Sequence, residues 1–116
     1  MGQIILRGRI PSKKNSTITM VRNGRVLHFP QNAYRTWHKD TSKQLIGCEK
    51  IKSDFLVLKF WFPDNRRTDL TNKTESVMDL LVDNGFIKDD CWQVIKSLTI
   101  ESEGIDKKNP RVEILW

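Results

Sequence analysis

The chain has 116 residues, a length that fits one compact domain with a single hydrophobic core. Its 20 lysines and arginines outnumber its 14 aspartates and glutamates, and the formal net charge of +6 favours an anionic partner such as nucleic acid. No run of roughly 18 apolar residues and no leader-like N-terminus is present, and Cys48 and Cys91 lie far apart, so we expect a cytoplasmic protein without a membrane partner, zinc site or disulfide framework.

The first part of the chain predicts two strands and a helix. Residues 3–10 are rich in β-branched side chains, and residues 25–29 follow Asn23-Gly24, a dipeptide that favours a tight turn. We expect both segments to be strands, with residues 11–24 as the loop between them. Apolar side chains recur at helical spacing over residues 33–46, which predicts the first helix.

The second part of the chain predicts a central strand, a helix and two further strands. Residues 54–62 are too apolar for a strand with one solvated face, so we expect them in the middle of the sheet. A second helix ends at Asn84-Gly85, and residues 92–102 and 111–116 read as strands; the apolar stripe of this helix is Leu70, Val77, Leu80 and Leu81. The elements predict a single α/β (α+β) domain over residues 1–116, with a small mixed sheet of four to five strands and two main helices.

The second helix has a polar side with two interpretations. Asp69 stands at the helix entrance, and the side opposite the apolar stripe is predicted to carry Asn72, Glu75, Ser76, Asp79 and Asp83. These residues could simply start the helix, because Asn72-x-x-Glu75 fits a capping box and acids near a helix N-terminus complement its dipole. They could also supply oxygen ligands to a metal ion.

A second acidic pair makes the metal interpretation attractive. Asp89-Asp90 follows the second helix after a short connection, and we expect it at the start of the next strand. An antiparallel return would bring the pair back beside the sheet, although contact with Asp69 depends on packing that the sequence does not fix. Clustered carboxylates repel one another, and Mg²⁺, which prefers hard oxygen ligands, would compensate their charge.

The same segment carries a resemblance to a known family. Residues 63–92, PDNRRTDLTNKTESVMDLLVDNGFIKDDCW, resemble the signature segment of the RusA family of Holliday junction resolvases, and IPSKKNS at 10–16 is similar to that family's N-terminal loop. The shared pattern is Arg-Arg-x-Asp-Leu-x-Asn, a helix, and Gly-Phe-x-x-Asp-Asp at the expected spacing. The resemblance implies a small dimeric α/β endonuclease, of a kind often encoded by phages, that acts in DNA recombination and repair.

The resemblance also implies a substrate and a cofactor. Members of the family cut four-way junction DNA by paired nicks with Mg²⁺, for which Mn²⁺ can substitute, and without a small-molecule cofactor. The first aspartate of the family's Asp-Leu-Asp-Asn motif matches Asp69, its asparagine matches Asn72, and its later acidic ligand matches Asp90. At the position of the motif's second aspartate this chain has Thr71, which cannot supply a carboxylate ligand and so puts the ligand set in doubt.

A compensating change lies one helical turn further on. Glu75 stands where the best-known members carry a lysine, and positions 71 and 75 share a helix face, so we expect Glu75 to replace the ligand lost at Thr71. Lys73 then takes the cationic role. The resulting catalytic and metal-binding set is Asp69, Glu75 and Asp90, with Asp89 as an open fourth ligand. The alternatives are a junction-binding protein that has lost catalysis through Thr71, and a structural or regulatory protein whose acids only cap the helix.

Basic residues around the acids predict the DNA-binding surface. Positive and amide side chains there would contact phosphates, and the predicted set is Lys13, Lys14, Asn15, Arg66, Arg67, Asn72 and Lys73. Lys107 and Lys108 are interpreted as a solvated turn. Neither His28 nor His38 has a triad-like spacing, so acyl-transfer chemistry finds no support. A four-way junction has approximate two-fold symmetry and needs two cuts, which predicts a homodimer.

Overall fold

The computed structural model describes residues 2–12, 17–30 and 32–116, and these form two helices and six strands. The elements in chain order are β1 (Gln3–Arg7), β2 (Thr17–Arg22), β3 (Arg25–Pro30), α1 (Asn32–Gln44), β4 (Phe55–Phe62), α2 (Leu70–Asp83), β5 (Ser97–Ile105) and β6 (Arg111–Leu115). The predicted α+β class with a mixed sheet and two main helices is confirmed. None of the helices in these described ranges is both long and apolar enough to cross a membrane.

Four strands form the main sheet in the order β1-β6-β4-β5. β6 runs antiparallel to both β1 and β4, whereas β4 and β5 are parallel and α2 lies between them in the chain. The central position predicted for residues 54–62 is confirmed, because β4 is hydrogen-bonded on both sides. A parallel crossover carries the chain back along the sheet, so α2 begins where β4 ends and finishes where β5 begins.

One face of the sheet forms the floor of the hydrophobic core. Leu56, Leu58 and Phe60 alternate along β4 as buried side chains, and their neighbours in register include Ile114 and Val112 of β6. The helices cover this face with buried residues at helical spacing: Tyr34, Trp37 and Thr41 from α1, and Val77, Met78, Leu80 and Leu81 from α2. The result is two layers around a single core.

A polar link also joins the two helices. Nε2 of His38 in α1 lies 2.9 Å from Oδ2 of Asp83 in α2, and Nδ2 of Asn84 donates to Oγ of Ser42 over 3.1 Å. His38 was expected to be a plain helix-surface residue, but it bridges the helices. Asp83 was expected on a free polar side, and its partner on α1 accounts for its position.

β2 and β3 form a separate two-stranded sheet, which the sequence predicted only in part. The strand at 25–29 is confirmed as β3, but residues 17–22 were assigned to a loop and form β2. Asn23 and Gly24 connect them with φ of 52° and 75°. Two consecutive positive φ angles define the tight hairpin turn that this dipeptide favours. The sequence did carry a signal for this strand, since polar and apolar residues alternate over Thr17-Ile18-Thr19-Met20, but the polar residues 12–16 before it led us to assign the whole segment to a loop.

Other element boundaries differ from the predicted ones. β1 ends at Arg7 rather than at position 10, and Gly8, with φ of 114°, turns the chain away from the sheet. β5 begins at Ser97, because residues 92–94 form a turn closed by hydrogen bonds from the amides of Val94 and Ile95 to the carbonyl of Cys91. The strand expected over 92–102 therefore starts five residues later and continues to Ile105.

Candidate nucleic-acid interface

A cleft opens at the end of the sheet where α2 begins. It encloses about 320 Å³ between the segment after β1, the last residues of β4 and the segment that leads into α2. We call this space the α2 cleft, and its lining is Gly8, Arg9, Ile10, Phe60, Trp61, Phe62, Pro63, Asp64, Arg66, Arg67, Thr68 and Lys73. A second, shallower depression on the β5 side of the same segment shares Asp64, Arg66 and Arg67 with it.

The lining of the α2 cleft is strongly basic. Arg9, Arg66, Arg67 and Lys73 face a single lining carboxylate, that of Asp64. The cleft also adjoins the N-terminus of α2, whose first turn contains no acidic side chain and whose backbone dipole adds partial positive charge. A concave surface with four cations beside a helix N-terminus favours binding of phosphate groups.

Asp64 holds two of the cations in place. Its Oδ2 lies 2.8 Å from an Nη of Arg9 and 3.2 Å from Nε of Arg66, and its Oδ1 accepts the backbone N–H of Arg66 over 3.0 Å. The backbone hydrogen bond from Arg66 is the main cause that lowers the pKa of Asp64, and the charges of Arg66 and Arg9 act in the same direction. The carboxylate is therefore ionised at neutral pH and organises the rim of the cleft.

Two hydrogen bonds from α2 fix the wall opposite this rim. Nζ of Lys73 donates to the carbonyl of Ile10, and Oγ of Ser76 donates to the carbonyl of Pro11 over 2.7 Å. Burial lowers the pKa of Lys73, and the nearby charge of Arg9 lowers it further. Lys73 thus has two roles, since it anchors the segment after β1 and contributes a half-buried positive charge to the cleft.

The expected polar side of α2 requires a correction. Asn72 and Ser76 are buried, and the segment at residues 8–12 packs against Ser76 through the carbonyl of Pro11. The predicted capping box Asn72-x-x-Glu75 is also wrong, since α2 begins at Leu70 and its N-cap is Asp69, without a side-chain capping bond. Nδ2 of Asn72 instead donates to Oδ2 of Asp69 over 3.3 Å. Asn72 therefore orients the carboxylate of Asp69, which is exposed at the N-terminus of α2.

Glu75 is exposed on α2, as is Thr71 one turn earlier. Glu75 is six positions after Asp69, which corresponds to about 9 Å along the helix axis and a rotation of about 240° around it, so the two side chains leave the helix in different directions. The predicted shared face of positions 71 and 75 follows from their spacing, but that face is not the one on which Asp69 meets Asn72.

Asp90 belongs to the opposite end of the domain. α2 has 14 residues and is about 21 Å long, and Asp90 follows its C-terminal end. The neighbouring Cys91 is held to Ile95 by a turn, and the next amide, that of Lys96, donates to the carbonyl of Asp54 at the start of β4. Asp89-Asp90 was expected at the start of a strand returning antiparallel, but it precedes a turn, and β5 is parallel to β4.

The positions of Asp69, Glu75 and Asp90 determine whether a single chain can bind a magnesium ion with all three carboxylates. Asp69, Glu75 and Asp90 are all exposed carboxylates of suitable chemistry, but the crossover places Asp90 and Asp69 at opposite ends of α2. Among the described residues, no three His, Cys, Asp or Glu side chains are grouped so as to hold a metal ion. One chain alone does not assemble the predicted ligand set.

The remaining predicted residues divide into two groups. Arg66, Arg67 and Lys73 line the α2 cleft as a group, whereas Lys13, Lys14 and Asn15 lie outside the described residues. The sequence did not predict Arg9 or Asp64. Asp64 had a usable signal, because an aspartate two residues before an arginine and directly after a proline is typical of a turn in which the carboxylate accepts a backbone N–H. Arg9 had none, since only the fold brings it to this end of the sheet.

The fold and the cleft define a small α+β domain with a basic concave surface at the N-terminus of a buried helix. No family model matches the sequence, and no curated protein matches it either. The resemblance of residues 63–92 to the RusA family therefore remains an expectation from the motif.

Proposed function

We propose that the chain is a Mg²⁺-dependent endodeoxyribonuclease that resolves four-way DNA junctions as a homodimer. The observation that carries the proposal is the α2 cleft, which gathers Arg9, Arg66, Arg67 and Lys73. Asp69, the exposed N-cap of α2, follows the cleft residue Thr68 directly in the chain. A nuclease of this type needs cations that bind the phosphates of the strand and an acidic group next to them that can hold a metal ion. Both requirements meet at the start of α2.

The cations of the cleft have distinct roles under this proposal. Arg66 and Arg67 are exposed and reach out to neighbouring phosphates, while Lys73 provides a fixed charge deeper in the cleft. Asp64 positions the guanidinium of Arg9 through a 2.8 Å contact, which limits the orientations that a bound backbone can adopt. Asn72 donates a hydrogen bond to the carboxylate of Asp69 and so restricts its orientation at the start of α2.

Asp69 and Asp90 lie at opposite ends of α2, so a metal site that contains both would have to be assembled from two protomers. A two-fold axis that sets two α2 helices antiparallel would bring Asp69 of one protomer toward Asp90 of its partner. Each dimer would then hold two equivalent acidic sites, which matches the two strands that must be cut in a junction. Mg²⁺ at such a site would supply positive charge to the scissile phosphate.

The separation also supports a second candidate. A chain that binds junctions through its basic cleft and never assembles the three carboxylates would be a junction-binding protein without catalysis. Thr71, exposed in place of the family's second aspartate, favours this candidate. The two candidates share the α2 cleft and differ only in cleavage.

Cleavage of a synthetic junction separates the candidates. Purified protein would be incubated with a labelled four-way junction and with a linear duplex of the same sequence, in Mg²⁺ or in EDTA. The proposal predicts paired nicks in the junction only, abolished by EDTA. Tight junction binding without nicks in Mg²⁺ or Mn²⁺ selects the second candidate, and the absence of any junction binding refutes both.

Subunit mixing tests the shared site. Asp69→Asn and Asp90→Asn should each be inactive alone, because every site then lacks one ligand. In a mixed dimer one site loses both ligands and the other keeps both, so the mixture should recover single nicks on junction DNA. Subunit exchange would be verified with tagged copies. If exchange occurs without recovery, Asp69 and Asp90 do not form one site across the two protomers: they act within one protomer, or at least one of them is not a ligand.

A further inference from the structure

The β2–β3 hairpin presents a positively charged tip to solvent. Its register pairs Val21 with Val26 and Arg22 with Arg25, and all residues from 21 to 26 are exposed. The positive φ angles of Asn23 and Gly24 close the tip in a two-residue turn. The two arginines therefore stand side by side on one face of the ribbon, next to the turn.

This arrangement is unfavourable for the isolated chain. Like charges directly opposite one another in an antiparallel pair destabilise the pairing. Outside the backbone ladder of the hairpin, the side chains of Arg22 and Arg25 make no hydrogen bond or ion pair with the residues that the structure describes. Val21 and Val26 keep 73% and 59% of their surface exposed, so the tip is not covered by the core either.

The charge of the whole N-terminal third is one-sided. Residues 1–39 contain eight lysines and arginines and no aspartate or glutamate, since Asp40 is the first acidic residue of the chain. The other 12 basic residues are outnumbered by the 14 acidic residues that all follow position 39. The positive net charge of the protein therefore resides in the segment that contains the hairpin, and a polyanion is the partner with complementary charge.

We propose that the β2–β3 hairpin is a DNA-binding arm whose tip arginines, Arg22 and Arg25, contact the phosphates of a duplex. A two-stranded ribbon is narrow enough to lie in or along the major groove of B-DNA, which is about 12 Å wide. Each six-residue strand is about 20 Å long, which is the reach of the arm along a duplex. The paired arginines at its tip place two positive charges close together, where they can contact neighbouring phosphates.

The inference deepens the proposed function, since it assigns a second contact to the same substrate, but binding by the hairpin does not require cleavage. The arm would grip a duplex stem while the α2 cleft holds the strand to be cut. Its failure can therefore be observed separately from failure of the endonuclease activity.

The test measures salt-dependent binding to a labelled linear duplex and to a four-way junction in EDTA. The variant is the double substitution Arg22→Ala with Arg25→Ala, and the matched control is Lys107→Ala with Lys108→Ala, which removes the same charge from an exposed turn. Two lost phosphate contacts make the log-log salt slope shallower by about 1.8 and weaken binding at 0.1 M salt by roughly 60-fold. We expect these changes in the hairpin variant and not in the control.

Two further measurements complete the test. The replacement of both tip arginines by lysine should keep the salt slope, because the positive charges remain. The alanine variant should keep its thermal midpoint, because the tip is outside the core.

The outcomes are distinct. A junction-cleaving wild type whose salt slope is unchanged in the hairpin variant overturns the inference and leaves the proposed function in place. The expected slope change in a protein that never cleaves supports the arm and refutes the endonuclease. Equal changes in the hairpin variant and the control show a general charge effect and overturn the inference, and so does a wild-type protein that binds no DNA.

Discussion

Replacement of Ser76 by alanine isolates the contact that fixes the wall of the α2 cleft. Ser76 is fully buried, and its hydroxyl donates to the carbonyl of Pro11 over 2.7 Å. Ser76→Ala leaves the backbone geometry and nearly all of the volume unchanged, but the carbonyl loses its donor. Pro11 is only partly buried, so the value of an ordinary hydrogen bond applies, and we expect a loss of about 1 kcal/mol in the free energy of unfolding.

The lost free energy of unfolding corresponds to a lower melting temperature. Unfolding entropy of about 2.1 cal/mol/K per residue gives about 0.24 kcal/mol/K for a chain of 116 residues, so 1 kcal/mol lowers the melting temperature by about 4 °C. Thermal unfolding followed by circular dichroism measures it. Thr71→Ala on the exposed side of α2 is the control and should shift the midpoint by less than about 2 °C. A Ser76→Ala midpoint within that range would show that the segment at residues 8–12 is not docked on α2.

Other substitutions address the site directly. Glu75→Gln should leave stability within about 0.5 kcal/mol, because the side chain is exposed and is not part of a cap, yet junction cleavage in Mg²⁺ should fall by more than about 100-fold if Glu75 is a ligand. Full cleavage by this variant would remove Glu75 from the ligand set. Arg9→Ala should weaken junction binding and make the salt slope shallower by about 0.9, whereas an unchanged slope would exclude Arg9 from the phosphate contacts. The control is Arg35→Ala, which removes an exposed charge from α1.

The sequence was most informative where one physical signal dominated. Residues 54–62 were placed in the middle of the sheet because an almost unbroken apolar run needs neighbours on both sides, and β4 has β6 and β5 there. The helices were located by their apolar stripes. β2 was missed although Thr17-Ile18-Thr19-Met20 alternates polar and apolar residues before the Asn23-Gly24 turn, because the segment was read together with the polar residues 12–16 as one loop.

The candidate site was harder to derive, because its parts come from three separate segments. Arg66 and Arg67 were found by their position before Asp69, but the contribution of Arg9 depends on how the chain turns after β1 and packs over α2. That packing also explains why Ser76 is buried, whereas Asn72 is buried next to Asp69. Their polarity suggested solvent, whereas their partners are a carboxylate and a backbone carbonyl that no periodicity reveals.

The position of β6 has a consequence for the order of events during synthesis. β6 is the last element of this domain to leave the ribosome, yet it lies between β1 and β4 and pairs with both. Until residues 111–115 are available, β1 has no neighbour in the sheet, and the backbone N–H and C=O groups on one edge of β4 have no partner strand. We expect nascent chains that end before Arg111 to be protease-sensitive and the domain to become resistant only when β6 is inserted.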